Sequence, residues 1–200
     1  MAKPIQPTPT LEGRDAENFY RELERVKSKE EIEQIKKEFK DADNVFSTYG
    51  KDLIRKMLNW GFFMFARDID SSLVKVEEIS KLYDLSDFDC GDKDLNEFLK
   101  KDSFNYRNQL IAKTFIVIHK EQVVAFFSVM NDAIKLKLEE TEETKQLIRL
   151  HEYPALKIGR LGVDKKFKRK GFGKFVIDFV KGLSRRINQI SACRFLTVDS

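Results

Sequence analysis

Leu161-Gly162-Val163-Asp164-Lys165-Lys166-Phe167-Lys168-Arg169-Lys170-Gly171-Phe172-Gly173-Lys174 is the stretch on which the reading of the chain turns. It opens as the end of an apolar run, Ala155 to Val163, that reads as a strand. A basic loop with two glycines follows. A helix then starts at Gly173 and runs to Arg186, with Phe175, Val176, Phe179 and Val180 on one face. A strand–loop–helix junction points free backbone amides at one spot, and the helix N-terminus adds partial positive charge there. Glycine lets the backbone approach an anion with no Cβ in the way. Lys168, Arg169, Lys170 and Lys174 add full charges. The chemistry these residues suit is a pyrophosphate cradle. Its candidate residues are Leu161, Gly162, Val163, Lys168, Arg169, Lys170, Gly171, Phe172, Gly173 and Lys174, within a binding region from Ala155 to Arg186.

Two familiar nucleotide loops fail on spacing. A Walker A loop needs glycine where Lys168 stands and Ser or Thr where Phe175 stands. A Rossmann fingerprint needs its third glycine where Val176 stands. A basic turn that binds nothing is the plain competitor, and the order of elements around the loop argues against it.

Outward from this junction, Cys193 to Val198 reads as a last strand. Lys113 to His119 and Val123 to Met130 are β-rich runs around Lys120-Glu121-Gln122, which predicts a hairpin. Asn131 to Pro154, partly acidic, is expected to interrupt the sheet. Asp92 to Asn108 predicts a helix with Leu95, Phe98 and Leu99 inward. Ile79 to Leu85 predicts a first strand. The fold class expected is α/β: a mixed, mostly antiparallel central sheet flanked by helices, with a helical extension before it.

Lys168-Arg169-Lys170-Gly171-Phe172-Gly173 resembles the Q/R-x-x-G-x-G/A signature of the GNAT acetyltransferases, with Lys where Gln or Arg is usual. Phe88-Asp89-Cys90-Gly91 with Leu95-Asn96-Glu97-Phe98-Leu99 is similar to the opening of toxin-like members. Tyr153-Pro154 and Arg160-Leu161-Gly162-Val163-Asp164 also look like that group. The resemblance covers roughly Ile79 to Ser200. It implies acetyl-CoA as co-substrate and transfer of its acetyl group to a primary amine. The amino group of an aminoacyl-tRNA is one such acceptor. An antitoxin-like protein partner is implied too, and a homodimer is left open. The family's Tyr acid sits in a helix beyond the last strand, so a chain ending at Ser200 is expected to be incomplete there and the catalytic acid is unassigned. Glu121, His151 and Glu152 are candidate bases by type only, and a solvated surface role fits each. Cys90 reads as a buried structural residue, since no catalytic His stands near it in sequence.

Residues 1–50 carry two more acids than bases, and the remainder six more bases than acids. A basic main body suits an anionic cofactor or RNA. The two cysteines make no metal-ligand pattern and read as reduced thiols of a cytoplasmic protein. No signal-peptide core opens the chain, and the most apolar stretch, Met57 to Ala66, is too short to span a membrane.

Three prolines mark Met1 to Thr10 as extended. Asp15 to Val26 predicts a helix. Ser28-Lys29-Glu30-Glu31 is a capping box for a second helix to about Lys40, with Ile32, Ile35 and Phe39 apolar. Asp41 to Gly50 is turn-rich and predicts a linker. The organisation expected is residues 1–50 as a helical extension or fused companion segment, 51–73 as a seam, and 74–200 as the acetyltransferase domain. The companion reading rests on a likeness of Lys3 to Pro9 and Gly13-Arg14-Asp15-Ala16 to small proteins encoded beside such enzymes. Two readings compete with the enzyme. One is a catalytically incomplete, acetyltransferase-like module that binds a partner through its N-terminal helices. The other is a nucleic-acid binder using the basic loop directly, with salt-dependent affinity.

Overall fold

A computed structural model describes residues 8–25, 27–49, 73–137 and 152–198. The elements in chain order are β1 (Leu11–Glu12), α1 (Gly13–Glu24), α2 (Lys29–Tyr49), β2 (Val74–Glu78), α3 (Lys93–Glu97), a π-helical turn (Phe98–Asp102), α4 (Ser103–Asn108), β3 (Lys113–His119), β4 (Gln122–Lys137), β5 (Glu152–Val163), α5 (Phe172–Ile187) and β6 (Phe195–Val198). The sheet order is β2-β3-β4-β5-β6, antiparallel up to β5 and parallel between β5 and β6. This is the mixed, mostly antiparallel sheet with flanking helices that the sequence predicts.

Alternation of side chains along the strands gives the sheet two apolar faces. On one, Phe115, Val117, Phe127, Leu156 and Ile158 pack under α5 through Phe175, Val176, Phe179 and Val180. On the other, Ile116, Ile118 and Phe126 pack under the α3–α4 helix through Phe98 and Leu99. Further along this second face, Ile134, Tyr153 and Ala155 receive Ala16 and Tyr20 of α1.

Four expectations change. The first strand is Val74–Glu78, where Val74 and Val76 alternate inward, and Ile79 to Leu85 is loop. There Ser80 and Asp84 accept backbone amides from Leu82 and Ser86, which favours turns over a ladder. Asp41 to Gly50 is not a linker as far as it is described: α2 runs on to Tyr49, with Ala42 fully buried. Packing of α2 along α5 overrides the poor helix propensity of Asp41, Asp43 and Asn44. β4 does not stop at Met130 but continues to Lys137, paired with β5 as far as Lys135↔Glu152. β6 starts at Phe195, because the Asn188 side chain holds both backbone groups of Cys193 at 2.7 Å. The apolar stretch at Met57 to Ala66, the seam and His151 lie outside the described residues. Among the described residues, no helix is long and apolar enough to cross a membrane.

The capping box forms as predicted: the Ser28 amide donates to Glu31 at 2.8 Å, and the Glu31 amide donates to Ser28 Oγ at 3.2 Å. Phe179 is fully buried, 5.6 Å from Phe127 and stacked on Phe175, so it joins α5 to the centre of the sheet. Phe179→Ala is expected to lower unfolding free energy by about 3–5 kcal/mol in chemical denaturation.

Candidate functional site

The basic loop between β5 and α5 is held by a knot of hydrogen bonds that begins in Phe88-Asp89-Cys90-Gly91. Asp164, buried, accepts the Asp89 amide at 3.0 Å and the Lys166 amide at 2.8 Å. Its own amide donates to the Val124 carbonyl at 2.9 Å. Lys165 donates its amide to the Asp89 carbonyl at 2.9 Å and its Nζ to Asp89 Oδ2 at 2.8 Å. The other Asp89 oxygen accepts the Gly91 amide at 2.8 Å and Asn96 Nδ2 at 2.7 Å. Asn96 Oδ1 in turn accepts the Cys90 amide at 3.0 Å. The Asp92 side chain caps α3 through the Leu95 amide.

This knot explains the spacing from Asp89 to Asn96 in physical terms. Gly91 has φ +87, and a Cβ there would lie 2.9 Å from Lys165 Cε. The contact to Lys165, then Asn96, then the Gly91 amide hold the Asp89 carboxyl well below the usual carboxylate range. Asp89 in turn raises the Lys165 ammonium. Burial pushes the Cys90 thiol up, which makes it a poor nucleophile and fits its structural role.

Above the knot lies a cleft of about 360 Å³. Of the predicted residues, Leu161, Gly162, Val163, Lys168, Arg169, Phe172 and Gly173 line it. Lys170, Gly171 and Lys174 do not. Lys170 Nζ sits 5.0 Å over the Phe167 ring, and Lys174 pairs with Asp178. Lys168 and Arg169 are exposed and take part in no ion pair among the described residues.

The three glycines at the loop have three different reasons. Gly171 is the helix N-cap in the left-handed region, φ 87. Gly162 gives way to the core: a Cβ would meet Phe126 at 2.5 Å and Cys90 at 3.3 Å. Gly173 has neither reason. Its φ is not left-handed, and a Cβ would meet nothing within 4 Å. The first helical bond runs from the Phe175 amide to the Gly171 carbonyl, so the amides of Phe172, Gly173 and Lys174 have no acceptor within the helix. Gly171 has no side chain to cap them. Phe172 offers only this amide, since its ring is buried against His119 and Phe167. Arg169 is left-handed at φ 61, a conformation that costs a non-glycine residue about 1–2 kcal/mol. It helps fold the loop back over the cleft.

β5 carries a bulge that the sequence did not reveal. Ser128 pairs with Arg160 but Val129 pairs with Ile158, so Gly159 is the extra residue. The bulge shifts the side-chain alternation, and Arg160 and Gly162 share the α3–α4 face. Arg160 stacks 5.4 Å over Phe98 and meets Asp94 at 3.5 Å. On its other edge β5 pairs with β6 only from Ala155 to Ile158. From Leu161 to Val163 that edge has no strand beside it among the described residues, and it runs directly into the cleft. Neither Glu121 nor Glu152 is brought there. Glu121 is at the β3–β4 hairpin tip, near Lys75. Glu152 pairs with Lys135 at the far end of β5, roughly 36 Å of strand from Val163 at about 3.3 Å per residue.

Asp89 protonates only well below its ordinary range, so its contribution to stability is complete above about pH 4 and is lost as pH falls toward its folded value. Asp89→Asn should therefore lower Tm at pH 7, and the gap from the parent chain should narrow as the pH falls below 4. A gap independent of pH in thermal melts would show that the ion pair is not what the substitution removes.

No family model matches the chain. Several solved structures share its fold. A Tyr-to-Phe variant of KacT superposes with TM-score 0.55 at 21% identity, over 63% of this chain and 77% of that one. AtaT complexed with acetyl-methionyl-tRNAfMet gives 0.56 at 19%, over 64% and 78%. A Tyr-to-Phe variant of the AtaT toxin, bound to the C-terminus of the antitoxin AtaR and acetyl-CoA, gives 0.51 at 19%, over 64% and 74%. The chain shares the fold of KacT and AtaT.

Proposed function

We propose that the chain is an N-acetyltransferase that takes an acetyl group from acetyl-CoA and passes it to a primary amine, the amino group of an aminoacyl-tRNA. The observation that carries this reading is Gly173. It is a glycine that nothing among the described residues requires, placed at an uncapped helix N-terminus beside Lys168 and Arg169. The space its Cβ would fill is free for an anion. The amides of Phe172, Gly173 and Lys174 hold the pyrophosphate, with the two cations beside it. The free backbone edge of β5 at Leu161 to Val163 orients the pantetheine arm.

Acetyl-CoA supplies the activated acyl group. The chain supplies position: it fixes the thioester near the β5 bulge, where the extra residue leaves ladder groups free to donate to the acyl oxygen. The amine must be neutral to attack the thioester carbon. As the N–C bond forms the C–S bond breaks, CoA leaves as a thiolate that takes a proton from solvent, and the amine's proton goes to solvent or a base. The domain that does this is residues 74–200, with 1–50 appended through 51–73, in the cytoplasm. AtaT forms a complex with acetyl-methionyl-tRNAfMet, and its Tyr-to-Phe variant one with the C-terminus of the antitoxin AtaR and acetyl-CoA. That company supports the acceptor class and an antitoxin-like partner for this chain.

Gly173→Glu places a carboxylate in the pyrophosphate position while meeting no protein atom at its Cβ. It should raise the acetyl-CoA Kd by about two orders of magnitude or more, equivalent to about 3 kcal/mol, in calorimetric titration, with Tm nearly unchanged. A variant that binds acetyl-CoA like the parent would overturn the cradle. A folded parent chain that ignores acetyl-CoA would leave a binding module rather than an enzyme.

A further inference from the structure

The route by which an acceptor amine must arrive is occupied by the chain's own N-terminal segment. On the cofactor reading above, on which this inference rests, the path to the thioester runs along β5. An arm that leaves the cradle and follows the free edge of β5 from Val163 meets β6 at the pair Ile158↔Val198. That is about 16 Å of strand, a length an extended pantetheine arm covers. The thioester then lies where the two strands converge, beside the bulge at Gly159. One face of the sheet is closed at this point. Leu156 and Ile158 are buried under Val176, Phe179 and Val180 of α5. An amine can come only from the opposite face, where Ala155 and Lys157 point.

That face is covered. Asp132 is in register with Ala155, and Lys157 with Thr197. Thr197 Oγ1 donates to Asp132 Oδ2 at 3.2 Å, so a polar bridge crosses β5 next to the thioester end. Thr8 Oγ1 donates to the same carboxylate oxygen. Immediately afterwards β1 pairs in parallel with β4 at Leu11↔Leu136 and Glu12↔Lys137. Then α1 lies down with Ala16 and Tyr20 buried against Ile134, Tyr153 and Ala155. The Phe19 ring sits 5.3 Å from Phe195 and 6.5 Å from Tyr153, so it spans β6 and β5. A hydrogen bond, a strand pairing and an aromatic cluster thus fix one segment on one face.

We infer that residues 8–24 are a built-in cover over the acceptor face, and that an acceptor as large as an aminoacyl-tRNA binds only when this segment leaves. Its hold is modest in kind. The strand pairing is two residues long, and the exposed side of α1 is polar. A short, reversible hold of this sort suits displacement rather than permanent closure.

The test reads access to the sulfur end of bound CoA and needs no acceptor. CoA is held at saturating protein and alkylated with a bulky maleimide, and the CoA adduct is followed by mass spectrometry. In the parent chain, alkylation should be about tenfold or more slower than for free CoA, because access scales with the open fraction. Phe19→Ala combined with Tyr20→Ala should bring the rate close to that of free CoA, with the calorimetric Kd unchanged. Thr8→Ala, which removes one hydrogen bond and no core, should fall between and serves if the double variant fails to fold. Equal protection in the parent and both variants, or no protection in the parent, with CoA bound throughout, would overturn the cover while leaving the cofactor site intact. No CoA binding by the parent chain would instead overturn the cofactor reading, and this inference with it.

Discussion

The contact on which the site depends is the one between the Asp89 carboxylate and the loop carrying Lys165. Asp89 uses both oxygens and its carbonyl, and Asp164 answers with the oxygens of its own carboxylate. The result ties two distant stretches of sequence, the turn before α3 and the turn after β5, into one rigid corner. A helix N-terminus binds an anion well only if its amides are already aimed, since ordering a loop at the moment of binding costs affinity. The knot does that ordering in advance. It is charged but not deeply buried, so its value lies in geometry as much as in energy.

From this corner the rest of the site follows along a single strand. β5 is antiparallel to β4 on one edge and parallel to β6 on the other, and among the described residues the parallel pairing covers only Ala155 to Ile158. An edge left beyond the last partner offers backbone donors and acceptors that some other chain or ligand can use. The bulge at Gly159 falls next to the point where that edge begins. It resets the alternation so that Arg160 and Gly162 turn to one face while Leu161 and Val163 support α5 from the other. One extra residue therefore lets a strand be core on both sides and still keep a usable edge.

Much of the architecture was legible because its signals were local. The hairpin around Lys120, the capping box at Ser28 and the helix after Gly171 each follow from a few neighbouring residues. Two of the misreadings share one cause: a tertiary contact outvoting a local preference. Asn131-Asp132 looks like a turn, yet Asp132 spends its carboxylate on Thr8 and Thr197, and the strand runs through. Asp41 and its neighbours look like a linker, yet α2 stays helical along α5. The π-helical turn at Phe98–Asp102 and the bulge in β5 have no marker at this level either. At the site, the loop residues were legible as a group, but their separate duties were not. The sequence cannot distinguish a glycine demanded by φ, as at Gly171, from one demanded by Phe126, as at Gly162, or from one demanded by nothing among the described residues, as at Gly173.

Thr8 and Thr197 meet on one carboxylate oxygen of Asp132, far along the sheet from Gly173. On the proposed reading, the cradle at Gly173 and the cover that begins at Thr8 act on opposite ends of the same strand, β5. Among the described residues, none of those lining the cleft belongs to β1 or α1. On the proposed reading, cofactor retention and acceptor access vary independently: each is set by its own contacts, with the β5 ladder between them. A segment that packed over the cradle instead would have to compete with the most strongly charged part of the cofactor. By packing over the far end it competes only with the acceptor, for which a two-residue strand pairing and a three-ring cluster are a contest of the right scale.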